Sequence, residues 1–312
     1  MSDAARPIAA GIDLGGTKIE AMLFGADMVQ ITSRRRPTPR DSYDDLLSAL
    51  EEEVRWLRAE AGRDDLPVGM GFPGLVDSQT EIVFAGNLAS SGRPLSPDLR
   101  ARVGGIVVCA NDSRCFTLSE AHGGAGKDHA RVFGLIFGTG LGGGFCQDGR
   151  LIAGLNGMAG EIGHYGISAH HARKYGLPIL RCGCGRMGCI ETLISGNGMA
   201  RIAEALIGTP RPATEIAANL SDPDNARIFS AWCDLAAEVA HTIQLHVDPD
   251  CIVLGGGLSN IDGVEKRLSE ALARIALPGV RLPAILKPAF GDSSGGRGAA
   301  LLALASDTGT EP

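Results

Sequence analysis

Two glycine-rich segments, one in each half of the chain, most constrain what this chain can fold into. The first is IAAGIDLGGTKIEAMLF and the second is RVFGLIFGTGLGGGFCQDGRLIAG. In each, apolar runs meet at glycines, a pattern that predicts strand, loop and strand. The Asp148-Gly149 pair in the second segment is a hairpin turn signal. Two such hairpins in one chain indicate a duplicated architecture.

The segments around these hairpins predict helices and further strands. Apolar residues at helical spacing predict a helix near residues 41–62, with Asp41 or Ser42 as its N-cap and Gly62 at its end. Later stretches predict a helix over AWCDLAAEVAHTIQLHVD, a strand over CIVLGGG and a closing helix over GGRGAALLALA. Strands and helices alternate along the 312 residues, which predicts an α/β fold with two lobes.

Composition narrows the choice of partners and compartment. The formal net charge of −7 argues against a nucleic-acid or anionic-membrane surface. No apolar run reaches the roughly 20 residues of a membrane span, and the polar start MSDAARP does not resemble a signal peptide. Eight cysteines in such a chain predict a reducing cytoplasm, where clustered thiols more often bind metal than form disulfides.

The glycine loops are candidate phosphate sites, because they expose several backbone N–H groups that no side chain covers. Neither DLGGTK (Asp13–Lys18) nor GTGLGGG (Gly138–Gly144) has the Walker spacing. Three glycines of the second loop also fit the dinucleotide pattern GxGxxG, with Glu161 placed as the ribose-binding acid. That pattern must open a helix, and GFCQDGRLIAG is a poor helix, so a phosphate-binding hairpin is favoured. A dinucleotide loop and a merely structural turn remain open alternatives.

Two further features extend this prediction. Asp13, just before Gly15 and Gly16, is a candidate to position Mg²⁺ directly or through water, although an aspartate beside a turn is often only a backbone acceptor. LGGGLS (Leu254–Ser259) ends an apolar strand, where a nucleobase would lie over the glycines; a plain strand-to-helix turn is the alternative.

The stretch RCGCGRMGCIE concentrates three thiols, Cys182, Cys184 and Cys189, on one glycine-rich loop. With His164 as a fourth ligand, they would complete a closed Cys3His zinc set, which leaves no open position for chemistry and is therefore structural. His170 and His171 are rival ligands, because they lie closer in sequence. A redox or disulfide role is the alternative.

Three acidic residues remain ambiguous when the residues are considered alone. Asp112 follows the strand IVVCAN, and the ordinary interpretation is a helix N-cap for FTLSEA. Glu161 would ordinarily be a surface or capping acid, and Glu191 an acid at a helix start.

The order of the motifs resembles that of ROK-family sugar kinases from roughly Ile8 to Ala303. The matching motifs are DLGGTK, GFPG, Asn111-Asp112, GTGLGGG, GMAGEIGH, CGCGRMGCIE and LGGGLS. The resemblance implies the α/β actin-like ATPase (ribonuclease H-like) fold, in which two lobes border a deep interdomain cleft. It implies an N-terminal lobe of residues 1–115 plus 291–312 and a C-terminal lobe of residues 116–290.

The resemblance also implies roles for named residues, with ATP, Mg²⁺ and Zn²⁺ bound. Asp112 would be the catalytic base. The implied sugar contacts are Asn87, Asn111, Asp112, Glu161, His164 and Glu191. The implied ATP contacts are Asp13, Gly15, Gly16, Thr17, Lys18, Gly138, Thr139, Gly140, Gly142, Gly143, Gly255 and Gly256. The implied zinc ligands are His164, Cys182, Cys184 and Cys189.

Within the family, two stretches favour N-acetylglucosamine kinases that phosphorylate the 6-hydroxyl. They are FAGNLASSGRPLSPDLRARV and the long spacer SAHHARKYGLPILR before Cys182. Fructokinases and glucokinases of the family are alternatives. A sugar-responsive regulator is a remote one, because its helix-turn-helix would have to precede the strand that begins by Ile8. We expect a cytoplasmic homodimer without nucleic-acid or membrane partners. Arg114, after the Asn-Asp pair, departs from the small or amide residue that is usual in the family.

Overall fold

The computed structural model describes residues 6–86, 88–291 and 294–307. The chain divides into two compact units. The first unit comprises Met1–Lys127, Gly144–Ala159 and Phe290–Pro312, and the second comprises Asp128–Gly143 and Gly160–Ala289.

The first unit is built on a five-stranded sheet with the order β3-β2-β1-β4-β7. Its strands are β1 (Pro7–Leu14), β2 (Lys18–Gly25), β3 (Gln30–Pro37), β4 (Val68–Phe72) and β7 (Val107–Asn111). Strands β1, β2 and β3 pair antiparallel, as predicted for the first hairpin, whereas β1, β4 and β7 run parallel. A small antiparallel pair, β5 (Leu75–Val76) and β6 (Val83–Phe84), follows β4.

The helices of the first unit are α1 (Tyr43–Ala61), α2 (Leu95–Val103), α3 (Asp112–Ala121) and α10 (Ser294–Asp307). Helix α1 begins and ends where the sequence predicts, because the side chain of Ser42 accepts from Asp45 N and Gly62 closes it in the left-handed conformation. Its Leu46 and Leu50 are fully buried in the main apolar core of this unit.

The second sheet has the order β10-β9-β8-β11-β12. Its strands are β8 (Arg131–Phe137), β9 (Leu141–Gln147), β10 (Arg150–Leu151), β11 (Cys251–Gly255) and β12 (Ala284–Leu286). The helices of the second unit are α4 (Ala169–Tyr175), α5 (Glu191–Ile194), α6 (Gly196–Ile207), α7 (Ala213–Ala218), α8 (Pro223–Val247) and α9 (Val264–Ile275). Short 3-10 turns occupy Ile162–His164 and Gly257–Asn260.

The two sheets repeat one topology. In each, an antiparallel hairpin with a third strand (β1-β2-β3 and β8-β9-β10) is followed by two more strands on the other side of the first strand. The α/β class and the duplicated architecture predicted from the glycine hairpins are therefore confirmed.

The compact units differ from the predicted lobes in where residues 116–127, 144–159 and 290 belong, since all of them group with the first unit. The physical reason for the first segment is the packing of α3 on α10. Arg297 Nη1 donates to the carbonyl of Ser119 at 2.8 Å, and Ser294 Oγ donates to the buried carboxylate of Glu120 at 2.6 Å. A boundary after residue 115 would divide this helix.

Across the part of the chain that the structure describes, no helix combines the length and apolarity needed to cross a bilayer.

Candidate functional site

Two carboxylates meet at one edge of the first sheet. Asp13 lies on β1, and Asp112 directly follows β7. Because β1, β4 and β7 are parallel, their carboxyl ends share an edge. Burial, together with the negative charge of Asp112, raises the pKa of Asp13 to about 6, and Lys18 acts in the opposite direction. The sheet therefore presents a partly desolvated acidic centre.

Asn111, rather than Asp112, is the N-cap of α3. Its Oδ1 accepts from Ser113 N at 2.9 Å, and its Nδ2 donates to the carbonyl of Gly74 at 3.0 Å. Asp112 Oδ1 accepts from Ser113 N and from Ser113 Oγ, at 2.7 and 3.2 Å. The capping role that the residues alone suggested for Asp112 is thus filled chiefly by its neighbour.

The carboxylate of Asp112 is partly buried, and this changes its acidity. Burial raises the pKa of Asp112, and the hydrogen bonds from Ser113 only partly oppose this effect. A carboxylate with a raised pKa is a stronger base than an ordinary aspartate once it is ionised. The side chain is suited to accept a proton.

The first glycine loop is held through its carbonyl groups. Gly15 N donates to the carbonyl of Lys18 at 2.9 Å, Thr38 Oγ1 donates to the carbonyl of Gly15 at 2.7 Å, and Arg40 Nε donates to that of Gly16 at 2.8 Å. Lys18 is half exposed, with its Nζ 3.7 Å from Glu20 Oε2. The loop thus has a fixed backbone with a cation beside it.

The second glycine loop, Gly138 to Gly140, joins β8 to β9, and a strand follows it. The dinucleotide alternative is wrong, because that pattern requires a helix at this point. Thr139 lies at the centre of the loop, whereas Gly142 and Gly143 lie within β9. Glu161 therefore has no ribose-binding role of the dinucleotide type.

The third glycine cluster packs against the second loop. β11 pairs parallel with β8, so Gly255 lies opposite Ile136 at the same sheet edge. Gly256 has a φ of 78°, and a Cβ there would lie 2.4 Å from the carbonyl oxygen of Phe137. Only glycine permits this approach, which brings two of the three predicted nucleotide segments together.

His164 and the three cysteines form one cluster. One ligand atom from each of the four residues lies within 4.8 Å of all the others. Cys182 Sγ is 3.6 Å from His164 Nδ1, and Cys184 Sγ is 3.6 Å from Cys189 Sγ, with no disulfide formed. Zn–S bonds of about 2.3 Å in a tetrahedron place ligand atoms about 3.8 Å apart, so the four donors fit such an ion.

The rival histidine His171 is committed elsewhere. It is buried, its Nδ1 lies 3.1 Å from Glu238 Oε1, and its ring stacks on Tyr175. His170 packs edge-on against it.

The remaining predicted sugar contacts are distributed as follows. Glu161 Oε2 lies 3.8 Å from Nε2 of His164, the ring nitrogen that faces away from the cysteines. Glu191 Oε2 accepts from Leu141 N at 3.0 Å. Asn87 lies outside the described residues. Of the predicted sugar contacts, Asn111 and Asp112 therefore belong to the first unit, and Glu161, His164 and Glu191 to the second.

Residues 9–306 match the ROK family. The chain belongs to the ROK family. An N-acetyl-D-glucosamine kinase of Pectobacterium atrosepticum is 40% identical over 299 residues, covering 94% of this chain and 98% of that protein. An N-acetylgalactosamine kinase of Shewanella sp. strain ANA-3 is 37% identical over 301 residues, covering 96% and 97%.

A solved ROK hexokinase of Thermus thermophilus superposes with a TM-score of 0.84 at 30% identity, covering 96% of this chain and 99% of that one. The fold of this ROK protein is the actin-like ATPase fold that the motif order implied.

Sequence reasoning missed several residues that hold the ROK motifs in place. Thr38 and Arg40 support the first loop, which they reach because the antiparallel register pairs Lys18 with Pro37. Arg186 Nη1 donates to the carbonyl of His164 at 3.1 Å, from inside the cysteine motif itself. The side chain of Arg114, the residue that departs from the family pattern, turns inward. It is buried, with Nη1 3.5 Å from the carbonyl of Gly157.

Proposed function

We propose that this chain is an ATP-dependent sugar kinase that transfers the γ-phosphoryl group of ATP to the 6-hydroxyl of an N-acetylhexosamine, with N-acetyl-D-glucosamine as the preferred substrate. The observation that carries the proposal is the partly buried Asp112 carboxylate, which accepts from Ser113 N and Oγ at the end of β7 in a chain of the ROK family. The names of the similar kinases support the substrate class.

Asp112 acts as the general base. As the sugar oxygen O6 attacks the γ-phosphorus, its proton passes to the Asp112 carboxylate. The bond between the γ-phosphorus and the β,γ-bridging oxygen breaks, and ADP leaves with that electron pair. Phosphoryl transfer of this kind depends on positioning and charge neutralisation more than on covalent chemistry.

The glycine loops bind the phosphates of ATP through backbone N–H groups, with Lys18 as a nearby cation. Mg²⁺, when bound, neutralises phosphate charge, and Asp13 is the residue that would position it directly or through water. The raised pKa of Asp13 fits this role, because a desolvated carboxylate beside a second acid is relieved by a cation. Gly255 and Gly256 give the nucleoside a flat surface without side chains.

His164, Cys182, Cys184 and Cys189 would hold Zn²⁺ as a structural ion. The mutual approach of the four donors to within 4.8 Å and the absence of a disulfide among the three cysteines support this assignment. The ring of His164 directs Nδ1 to the cysteines and Nε2 toward Glu161, so His164 would link a bound ion to the segment that carries the proposed sugar contacts.

N-acetylgalactosamine is the second candidate substrate, because an N-acetylgalactosamine kinase is among the similar proteins. It differs from N-acetylglucosamine only in the configuration at C4. Fructose and glucose, the substrates of the fructokinase and glucokinase alternatives, lack the acetamido group. Both sugars named for the two relatives carry it. Assembly as a cytoplasmic homodimer remains a prediction.

The function is tested by ADP release with ATP and Mg²⁺ across N-acetylglucosamine, N-acetylgalactosamine, N-acetylmannosamine, glucose and fructose. We expect the highest kcat/KM with N-acetylglucosamine. A higher value with N-acetylgalactosamine would keep the kinase and change its substrate, and a preference for glucose or fructose would contradict the acetamido assignment. No sugar-dependent release from metal-loaded protein would contradict the kinase.

A further inference from the structure

Glu191 uses its two carboxylate oxygens on two different segments. Its Oε2 accepts the N–H of Leu141 at 3.0 Å, and its Oε1 lies 3.2 Å from Sγ of Cys182. Leu141 is the first residue of β9, directly after Gly140. One side chain therefore joins the cysteine cluster to the second glycine loop, and all of these residues belong to the second unit.

The loop is shaped to receive this carboxylate. A Cβ at Gly140 would lie 2.8 Å from Glu191 Oε2. The glycine at this position is thus accounted for by the approach of Glu191, in addition to any phosphate that the loop binds. A loop that only bound phosphate through its backbone would not require this acid beside it.

A second contact braces the same loop from the same segment. Gly196 N, at the start of α6, donates to the carbonyl of Gly138 at 2.8 Å. The intervening helix α5 begins at Glu191, and the carbonyl of its last residue, Ile194, accepts from the indole Nε1 of the fully buried Trp232 at 3.0 Å. Both contacts with the loop therefore come from residues at or near the ends of a helix that a buried hydrogen bond holds in place.

From these contacts we infer that Glu191 is a positioning residue for the nucleotide-phosphate loop, beyond the sugar contact that the proposed function gives it. Its carboxylate holds the Leu141 amide and so sets the conformation of residues 138–141 before any substrate binds. The identity of the loop's ligand rests on the proposed function. The hydrogen bond between Leu141 N and the Glu191 carboxylate, called the brace below, does not.

Hydrogen exchange of the Leu141 amide in substrate-free protein tests the brace. Removing one hydrogen bond of this kind in Glu191→Ala is expected to speed Leu141 exchange by about 10-fold. Glu191→Asp keeps the charge but is shorter by one methylene, so it should also speed exchange and serves if the alanine variant fails to fold. Glu191→Gln retains an oxygen acceptor and should restore protection to within about 2-fold of the parent protein.

Asp222→Ala is the matched control, because Asp222 Oδ1 accepts from Asn225 N at 2.9 Å in the same unit. It should speed exchange at Asn225 and leave Leu141 unchanged. Unchanged Leu141 exchange in both Glu191→Ala and Glu191→Asp would overturn the inference, as would failure of Glu191→Gln to restore protection.

Steady-state kinetics separate the brace from a sugar contact. If Glu191 only bound the sugar, its substitution would raise KM for the sugar alone. If Glu191 positions the loop, its substitution also raises KM for ATP. We expect Glu191→Asp to raise KM for ATP by at least about 5-fold, in line with the loss of one hydrogen bond. An unchanged KM for ATP would contradict the inference. Because the exchange measurement uses no substrate, its result stands even if the proposed reaction is not found.

Discussion

Asn111 Nδ2 donates to the carbonyl oxygen of Gly74 at 3.0 Å, and this bond connects the end of β7 to the turn that follows β4. The same side chain caps α3 through Oδ1, so both of its polar atoms are engaged by the protein. Its structural task is to place Asp112, which follows it directly. This relationship separates a residue that positions the proposed base from the base itself.

We therefore expect Asn111→Ala to lower the free energy of unfolding and kcat together. Loss of the cap costs about 1 kcal/mol, and loss of the bond to Gly74 adds to it. Urea unfolding and steady-state kinetics measure the two effects. Ser42→Ala removes the N-cap of α1 in the same unit and should lower stability alone. A fall in kcat of similar size in Ser42→Ala would contradict a positioning role for Asn111.

Asp112→Asn should lower kcat by about 10²- to 10⁴-fold, because the amide cannot accept the proton. In the parent protein, burial raises the pKa of Asp112 above its ordinary value of 3.8. The base must be ionised, so kcat should fall as pH decreases through this raised pKa. A pH profile of kcat shows whether the acid limb is present and lost in the variant. An identical limb in residual Asp112→Asn activity would assign it to another group.

Asp13→Asn should stabilise the protein while abolishing activity. The pKa of Asp13 is raised from 3.8 to about 6 in the folded state, so the folded state binds its proton more tightly than the unfolded state. The stability of the parent protein therefore declines as pH rises from about 3.8 to about 6 and stays lower above that window. The substitution should add about 1–3 kcal/mol at pH 7.5 without divalent cations, and nothing below the unfolded pKa.

Urea unfolding of Asp13→Asn across this pH window measures the gain. Asp41→Asn, at an exposed position of the same unit, is the control and should change little. A variant less stable than the parent at pH 7.5 would show that burial does not disfavour the Asp13 carboxylate.

Metal content distinguishes the cluster ligand from its rivals. His164→Ala should lose most of the bound zinc, because three thiolates alone leave the tetrahedral set incomplete. His171→Ala should retain it, since His171 contacts Glu238 and Tyr175 instead. Mass spectrometry of purified proteins gives the zinc per chain. Equal zinc in the two variants would reject His164 as the fourth ligand.

Two adjacent glycines test the packing of the nucleotide segments. Gly256→Ala should destabilise the protein by about 2 kcal/mol or more and raise KM for ATP, because the residue has positive φ and its Cβ would meet the Phe137 carbonyl. Gly257→Ala meets nothing within 4 Å and should be close to neutral in stability. Thermal unfolding measures the loss of stability, and steady-state kinetics with varied ATP measure KM. Equal effects at the two positions would contradict the close approach.

Local sequence was sufficient for several elements. The glycine hairpins, the ends of α1 at Ser42 and Gly62, and the three clustered cysteines could all be predicted, because the hydrogen bonds and spacings that define them join residues close in the chain. The order of the motifs was enough for the family.

Tertiary structure decided which distant residues meet. Sequence spacing favoured His170 and His171 as the fourth ligand, whereas the motif order implied His164; the structure places His164 beside the three cysteines and His171 against Glu238. The contact of Glu191 with Leu141, fifty residues earlier, is likewise invisible to any local pattern. Local propensity acts over a few residues, whereas these contacts depend on how strands pair and where helices dock, and that is determined only when the whole core packs.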